Sequence, residues 1–167
     1  MGINPAHFQW HLPVGEAFQT PEVVLVYSEN GLNGLSQTLH PFYQKHLIRG
    51  QHQFAERPVL INNWEGTYFD FTAEKIEAMA DEASTLGIEL FVLDDGWFGK
   101  RDDDYSSLGD WHVHTAKLPD GLKQLAENIK ARGMLFGLWF EPEMISEDSE
   151  LYRAHPDWCI HTPGREK

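Results

Sequence analysis

The hydrophobic pattern of the chain changes after Pro58, from irregular to repeating. Three short apolar runs then have the length and content of buried strands: residues 59–64, 88–93 and 134–140. Two amphipathic segments lie between them, and each follows a residue suited to capping a helix N-terminus, Thr72 and Asp120. Each segment ends at a glycine, Gly87 and Gly133. The order strand, helix, strand, helix, strand predicts a parallel sheet built from βα units.

Each apolar run is hydrophobic throughout rather than alternating, which predicts strands covered on both faces. A doubly wound sheet and a TIM barrel both fit this pattern, and both place functional residues at the carboxyl ends of the strands. A barrel of about 250 residues uses roughly 31 residues per βα unit. The 109 residues after Pro58 therefore correspond to about three and a half units, so that a barrel here is only the first part of one.

Residues 1–52 show no such repeat. The run at residues 23–27 favours a strand, the Asn-Gly steps at residues 30–31 and 33–34 indicate turns, and residues 35–48 favour a helix. Proline at the Arg57-Pro58 step favours an extended chain that leads into the first strand of the repeat. We therefore predict two domains, residues 1–52 and residues 53–167.

Composition excludes several classes of function. The formal net charge of −13 excludes nucleic-acid binding through a basic face. Cys159 is the single cysteine, which excludes an intrachain disulfide. The chain start lacks the pattern of a secretion signal, and no apolar run approaches the roughly 20 residues that span a bilayer. We therefore expect a cytoplasmic protein that does not associate with membranes.

Carboxylates and indoles follow the predicted strands, at the edge of the sheet where function is expected. Asp94 and Asp95 come directly after the second strand, and two diverging carboxylates suit neighbouring hydroxyls of one sugar ring. The alternative is a simple turn, since Asp followed by Gly is common in turns. The position at a strand end favours binding. Trp64 and Trp139 lie at the other two strand ends and predict the walls of a sugar pocket.

Other polar residues near these ends leave alternatives open. Glu141 and Glu143 suit an acid, a base or a partner for a basic residue. The loop at residues 96–118 spans 23 residues, and loops of that length are mostly functional or disordered. Its acidic run at residues 102–104 favours a solvated surface over a calcium site. The His-Val-His at residues 112–114 has the spacing of some zinc ligands but lacks a third, so we expect neither a metal nor a cofactor.

Five segments are distinctive both in sequence and in order. They are PVLINNWE at residues 58–65, FVLDDGWFG at 91–99, RDDDYSSLGDW at 101–111, GLWFEPEM at 137–144 and HPDW at 155–158. These segments resemble bacterial α-galactosidases of glycoside hydrolase family 36, the melibiase type. The resemblance extends upstream to FQTPE at residues 18–22 and GLNG at residues 31–34.

The resemblance implies that the second domain is the first part, about three βα units, of a (β/α)8 barrel, preceded by the end of a β-sandwich domain. It implies retaining removal of terminal α-1,6-linked galactose from melibiose, raffinose and related sugars, without a cofactor, by an enzyme that forms homo-oligomers. Asp94 and Asp95 correspond to the pair that binds galactose hydroxyls, chiefly O4 and O6. Trp64 and Trp139 correspond to aromatic residues of the galactose pocket.

The family's catalytic residues have no counterpart in this sequence. The nucleophile of the family lies in a Lys-Trp-Asp motif and the acid/base is a later aspartate, so both are expected downstream of Lys167. We therefore expect a piece of an α-galactosidase that is inactive in isolation. Alternatives are a non-catalytic galactose-binding or assembly module, and an unstable remnant that self-associates through its unpaired sheet edge. An α-N-acetylgalactosaminidase is the nearest alternative among enzymes.

Overall fold

The computed structural model describes residues 3–6, 8–162 and 164–165. Met1 and Lys167, which bound the two predicted domains, lie outside the described residues. The chain divides into two compact units, residues 1–56 and residues 57–167. The assignment of the first predicted domain as the end of a β-sandwich domain stays a prediction.

The first unit contains one helix, α1, at Gly31–His46 within its described residues. The helix begins before the predicted residue 35, because the Gly34 amide donates to the Asn30 carbonyl at 3.4 Å. The turn predicted at residues 33–34 is therefore the first turn of the helix. At the other end, the side-chain amide of Gln53 donates to the carbonyls of Gln44 at 2.9 Å and Lys45 at 3.1 Å. These bonds satisfy carbonyls that a helix end leaves free.

The strand predicted at residues 23–27 does not form. A strand needs a hydrogen-bonding partner, and no segment among the described residues of the first unit pairs with this run. Its apolar side chains are largely exposed, with Leu25 at 68% and Tyr27 at 84% of full exposure. The β-branched content of the run was therefore not sufficient to predict its structure.

The second unit contains the predicted parallel sheet. Its elements are β1 Leu60–Asn62, α2 Trp64–Thr67, α3 Ala73–Thr85, β2 Leu90–Leu93, α4 Gly121–Ala131, β3 Leu135–Leu138, α5 Glu150–Ala154 and a 3-10 turn at Pro156–Trp158. The strands are parallel in the order β1-β2-β3, with Ile61 beside Phe91 and Phe91 beside Phe136. This mixed α/β arrangement confirms the prediction of βα units. None of the helices in the described residues has the length and apolar content to cross a membrane.

Local signals explain where the helices of the sheet begin and end. The Thr72 hydroxyl accepts a hydrogen bond from the Lys75 amide at 3.4 Å, which caps the N-terminus of α3. Asp120 precedes α4, although its side chain makes no capping bond. Gly87 and Gly133 follow the two helices with φ of +79° and +83°, a conformation in which glycine has no Cβ penalty.

The helices cover one face of the sheet. Buried side chains of α3 and α4 pack with two buried residues of β2 in a single core: Ile76, Ala80, Ala83, Leu125, Ile129, Phe91 and Leu93. On the opposite face Leu60 and Leu135 are 51% and 57% exposed. The prediction that both faces are covered is therefore wrong for the described residues. The reason is that both crossover helices, α3 and α4, pack on the same face, as expected where the strand order does not reverse.

Candidate functional site

Polar side chains tie the ends of the three strands together. The Asn62 side-chain amide, at the end of β1, donates to Asp94 Oδ2, just beyond β2. The Asp94 amide donates to Oδ1 of the fully buried Asn63 at 2.8 Å. On the other side of β2, the Trp139 amide donates to the Leu93 carbonyl at 2.9 Å. The predicted strand-end residues therefore lie at one edge of the sheet, as the parallel arrangement requires.

The two adjacent carboxylates have different environments. Asp94 is partly exposed, whereas Asp95 is only 5% exposed. Both oxygens of Asp95 accept from Arg101, with Nε 3.0 Å from Oδ1 and Nη2 2.8 Å from Oδ2. Each carboxylate also accepts one backbone amide, since the Gly96 amide donates to Asp95 Oδ1 and the Asp95 amide donates to Asp94 Oδ1, both at 2.7 Å. Asp94 thus retains the greater capacity for an external donor.

Arg101 is the functional candidate that the sequence did not reveal. Its residue exposure is 3%, its Nη1 donates to the Ser106 carbonyl at 2.8 Å, and its guanidinium lies 5.6 Å from the centroid of the Phe69 ring. A signal for it existed, since a carboxylate buried at a strand end requires a cationic partner. Nothing in the spacing of the long loop identified Arg101 as that partner of Asp95.

Lys117, at the other end of the long loop, is a second buried cation. Its ammonium donates to the carbonyls of Gly96 at 3.1 Å and Arg101 at 2.9 Å, and it lies 2.8 Å from Asp102 Oδ1. It also lies 4.9 Å from the centroid of the Phe71 ring. These contacts hold the two ends of the loop against the end of β2.

The acidic run and the histidine pair serve local structure. Partial burial alone would raise the pKa of Asp102, but the adjacent Lys117 and His114 hold that pKa below its usual value. His114 Nε2 lies 3.4 Å from Asp102 Oδ1, while His112 is exposed. Among the described residues, no group of three or more His, Cys, Asp or Glu side chains is arranged to hold a metal ion.

The long loop is ordered by hydrogen bonds rather than extended into solvent. The Gly99 amide donates to the His112 carbonyl at 2.7 Å. The Asp110 carboxylate accepts from the amides of Glu150 at 2.9 Å and Leu151 at 3.0 Å, and so caps the N-terminus of α5. Of the two hypotheses for this loop, function and disorder, the structure thus disfavours disorder.

The two strand-end tryptophans are both partly buried. Trp64 packs edge-on against Tyr68 and Phe69, with ring centroids 5.1 and 5.0 Å away. The carbonyl of Trp139 accepts from the indole of Trp97 at 3.0 Å. These contacts hold both residues while leaving part of each accessible, which is what a rigid wall of a ligand site requires.

A separate aromatic cluster fills the space beneath the long loop. Trp111 lies 4.4 Å from Phe98 and 5.2 Å from Phe140 between ring centroids, and Trp97 lies 5.1 Å from Phe140. Trp97 and Phe98 are 2% and 0% exposed. The abundance of tryptophan in the sequence is thus explained in part by packing.

The remaining acidic candidates are not drawn into the strand-end network. Glu141 is partly buried and Glu143 is exposed. A polar groove of about 400 Å³ lies between the long loop and the start of α5, and Trp64, Asp94 and Trp139 are not among the residues that line it. The strand-end residues are therefore linked by hydrogen bonds and packing, not by sharing this groove.

Comparison with known proteins identifies the family. A model of the melibiase family matches residues 17–167. Alpha-galactosidase AgaA of Geobacillus stearothermophilus is 63% identical over 165 residues, which make up 99% of this chain and 23% of that protein. Alpha-galactosidase Mel36A of Lactobacillus acidophilus is 54% identical over 164 residues, 98% of this chain and 22% of that protein.

The structural comparison agrees. The crystal structure of AgaA, an α-galactosidase of glycoside hydrolase family 36, matches with a TM-score of 0.92 and 62% identity over 99% of this chain and 23% of that one. Variants of AgaA have been solved in complex with raffinose and with stachyose. This chain spans about a quarter of the length of these relatives. The family match and the structural likeness confirm the resemblance noted in the sequence, and the chain belongs to the melibiase family, that of the glycoside hydrolase family 36 α-galactosidases.

Proposed function

We propose that this chain is the galactose-binding part of an α-galactosidase, and that its sheet is the first part of a (β/α)8 barrel. The whole enzyme removes terminal α-1,6-linked galactose from melibiose- and raffinose-type sugars with retention. The observation that carries the proposal is Asp94, a partly exposed carboxylate held at the strand ends by Asn62 and by the Asp95 amide. The complexes of AgaA variants with raffinose and stachyose support the substrate class.

Asp94 is suited to recognise hydroxyl groups. Each of its oxygens already accepts one protein donor, and a carboxylate oxygen has room for about two. A sugar hydroxyl in line with the free lone pair completes the set. An epimer whose hydroxyl points elsewhere leaves that acceptor unpaired, at a cost of about 1–3 kcal/mol. This is how a carboxylate aimed at the axial O4 would separate galactose from glucose.

The remaining residues of the edge have supporting roles in this proposal. Trp64 and Trp139 present partly exposed rings at the ends of β1 and β3, which suit the apolar faces of a sugar. Asp95 is the candidate for a second hydroxyl, which would share Oδ2 with the two Arg101 nitrogens that already donate to it. A retaining hydrolase needs two carboxyl groups about 5 Å apart across the scissile bond, and we propose that residues outside this sequence supply them.

Calorimetric titration of the chain with galactose and with glucose tests the proposal. We expect galactose to bind at least about tenfold more tightly than glucose, which corresponds to 1.4 kcal/mol, and we expect Asp94→Ala to abolish the preference. Asp104→Ala, at an exposed residue of the long loop, is the matched control and retains it. Equal affinities for the two sugars, or no binding, would contradict the proposal.

A second assay separates binding from catalysis. The isolated chain is expected to release no chromophore from a nitrophenyl α-galactoside, because the carboxylates that carry out the chemistry lie elsewhere. Release that Asp94→Ala abolished would show that these residues contain a complete active site. In that case the division of roles proposed here is wrong, even if galactose binds as expected.

A further inference from the structure

The contact between Arg101 and Asp95 is the most completely buried ion pair among the described residues, with side-chain exposures of 4% and 7%. Two N–H groups make three contacts with the carboxylate edge: Nε lies 3.0 and 3.1 Å from the two oxygens, and Nη2 lies 2.8 Å from Oδ2. A guanidinium fork matches the planar carboxylate and fixes its orientation as well as its charge. A buried charge pair of this quality is costly to build, so its position at the strand ends calls for an explanation.

The position of the Asp95 carboxylate controls that of Asp94. Asp95 Oδ1 accepts from the Gly96 amide, and the Asp95 amide donates to Asp94 Oδ1, both at 2.7 Å. The two side chains and the backbone between them therefore form one hydrogen-bonded unit. Rotation of the Asp95 carboxylate breaks its bond with the Gly96 amide and frees the backbone segment whose Asp95 amide donates to Asp94.

Arg101 is itself held from three sides. Nη1 donates to the Ser106 carbonyl at 2.8 Å, the Phe69 ring lies 5.6 Å away, and the Arg101 carbonyl accepts from Lys117 at 2.9 Å. The side chain has little freedom to follow a displaced partner. It therefore acts as a fixed point against which the carboxylates are set.

We propose that Arg101 is a positioning residue for galactoside binding. It neutralises Asp95 and locks the orientation of that carboxylate, so that Asp94 presents its free lone pairs in a geometry set before the sugar arrives. Preorganisation of this kind increases affinity because the ordering cost is met in the free protein. The inference rests on the proposed galactose site, and it adds to that site a residue that need not touch the sugar.

Substitution Arg101→Lys tests the geometry separately from the charge. Lysine keeps the positive charge but replaces the planar fork by a single point donor. We expect galactose affinity, measured at a temperature where the variant is folded by circular dichroism, to fall at least about tenfold. The matched control is Arg132→Lys, which changes an arginine paired with Asp81 and Glu77 between α3 and α4. Its galactose affinity is expected to equal that of the wild type.

The wild-type chain provides a second measurement that needs no substitution. During a galactose titration followed by nuclear magnetic resonance, we expect the Arg101 Nε–H signal to shift together with the Trp64 and Trp139 indole signals, while the Arg132 Nε–H signal stays in place. An Arg101 signal that is unmoved while the indoles shift, or wild-type affinity in a folded Arg101→Lys variant, would overturn the positioning role alone. Failure of the wild-type chain to bind galactose would overturn the proposed function and this inference together.

Discussion

The two edges of the parallel sheet use the same pair of residue types in opposite ways. At the carboxyl edge, Arg101 and Asp95 form an ion pair with side-chain exposures of 4% and 7%. At the amino edge, next to the turn between α4 and β3, Arg132 bonds to Asp81 at 2.6 Å, with side-chain exposures of 21% and 61%. Both contacts are hydrogen-bonded pairs of arginine and aspartate, but only the pair at the carboxyl edge is buried.

This difference fits the proposed assignment of binding to the carboxyl edge and of stabilisation to the amino edge. Water screens the partly exposed pair of Arg132 and Asp81 more strongly, and ion pairs near the surface contribute little to stability. Buried pairs carry a large desolvation penalty, and we interpret the pair of Arg101 and Asp95 as one kept for the orientation of the carboxylate. In βα folds, chemistry lies at the carboxyl ends of the strands and the opposite end serves stability. The placement of Arg101 and Arg132 follows that division.

The largest expected effect comes from Arg101→Met. The substitution leaves Asp95 buried and unpaired, which costs about 3–5 kcal/mol of unfolding free energy. Urea denaturation measures the loss. Combining it with Asp95→Leu removes the stranded charge and is expected to recover most of the stability, since apolar groups of similar size replace a buried ion pair at little cost. A double variant as unstable as Arg101→Met would contradict this account of the pair.

A pair of glycine substitutions compares the backbone at the two edges. Gly96 and Gly87 have φ of +94° and +79°, so an alanine is strained at both, by about 1–2 kcal/mol. At Gly96 an added Cβ would also lie 3.1 Å from the Phe69 ring and 3.2 Å from the Lys117 ammonium, whereas at Gly87 it would meet nothing within 4 Å. Thermal denaturation should show the larger loss for Gly96→Ala. Equal losses would mean that the side chains around Gly96 move aside at little cost in free energy.

At the amino edge, Arg132→Met should lower the urea midpoint by less than Gly96→Ala does. Arg132 contacts Asp81 and Glu77 near the surface, and its removal leaves both carboxylates accessible to water. Added salt should reduce the difference from the wild type further, because exposed pairs are screened. A loss as large as that of Arg101→Met would remove the distinction between the two edges.

The smallest effect concerns acid stability. Arg132 lowers the pKa of Asp81, and Lys117 with His114 lowers that of Asp102 in spite of its partial burial. A lowered carboxyl pKa contributes stability above the ordinary value of 3.8, and this contribution is lost as the pH falls through the lowered pKa. Unfolding free energy measured from pH 5 to pH 2 should therefore fall less steeply in Asp102→Asn and in Asp81→Asn than in the wild type. An unchanged slope in either variant would contradict the corresponding contact.

The sequence predicted the second unit well because its signals are local. The hydrophobic period, the capping residues and the glycines located β1 to β3, α3 and α4. The order of these elements predicted parallel pairing, which the structure confirms. The register was less accurate. The spacing of 46 residues from Gly87 to Gly133, taken as the repeat, predicts that Asp95 aligns with Glu141, whereas the strands pair Leu93 with Leu138 and so place Phe140 at the level of Asp95. The segment from the glycine to the strand is one residue shorter before β3 than before β2, and the glycine spacing does not include that difference.

The sequence pattern could not identify contacts between residues that lie far apart in the chain. The run at residues 23–27 lacked a partner strand, and local β propensity cannot supply one. At the strand ends, Asp94 and Asp95 were identified by position, but the contact with Asn62 depends on the pairing of β1 with β2, and that with Arg101 on how the long loop folds back. The roles of Trp64, Asp94, Asp95 and Trp139 in sugar binding stay predictions.

Amide hydrogen exchange of the whole chain with and without saturating galactose tests the central claim most directly. The account predicts slower exchange at residues 93–97 and at Trp139 when the sugar binds, with residues 86–90 and 132–135 at the amino edge unchanged. Protection at the amino edge, or equal protection at both edges, would contradict the assignment of sugar binding to the carboxyl ends of the strands.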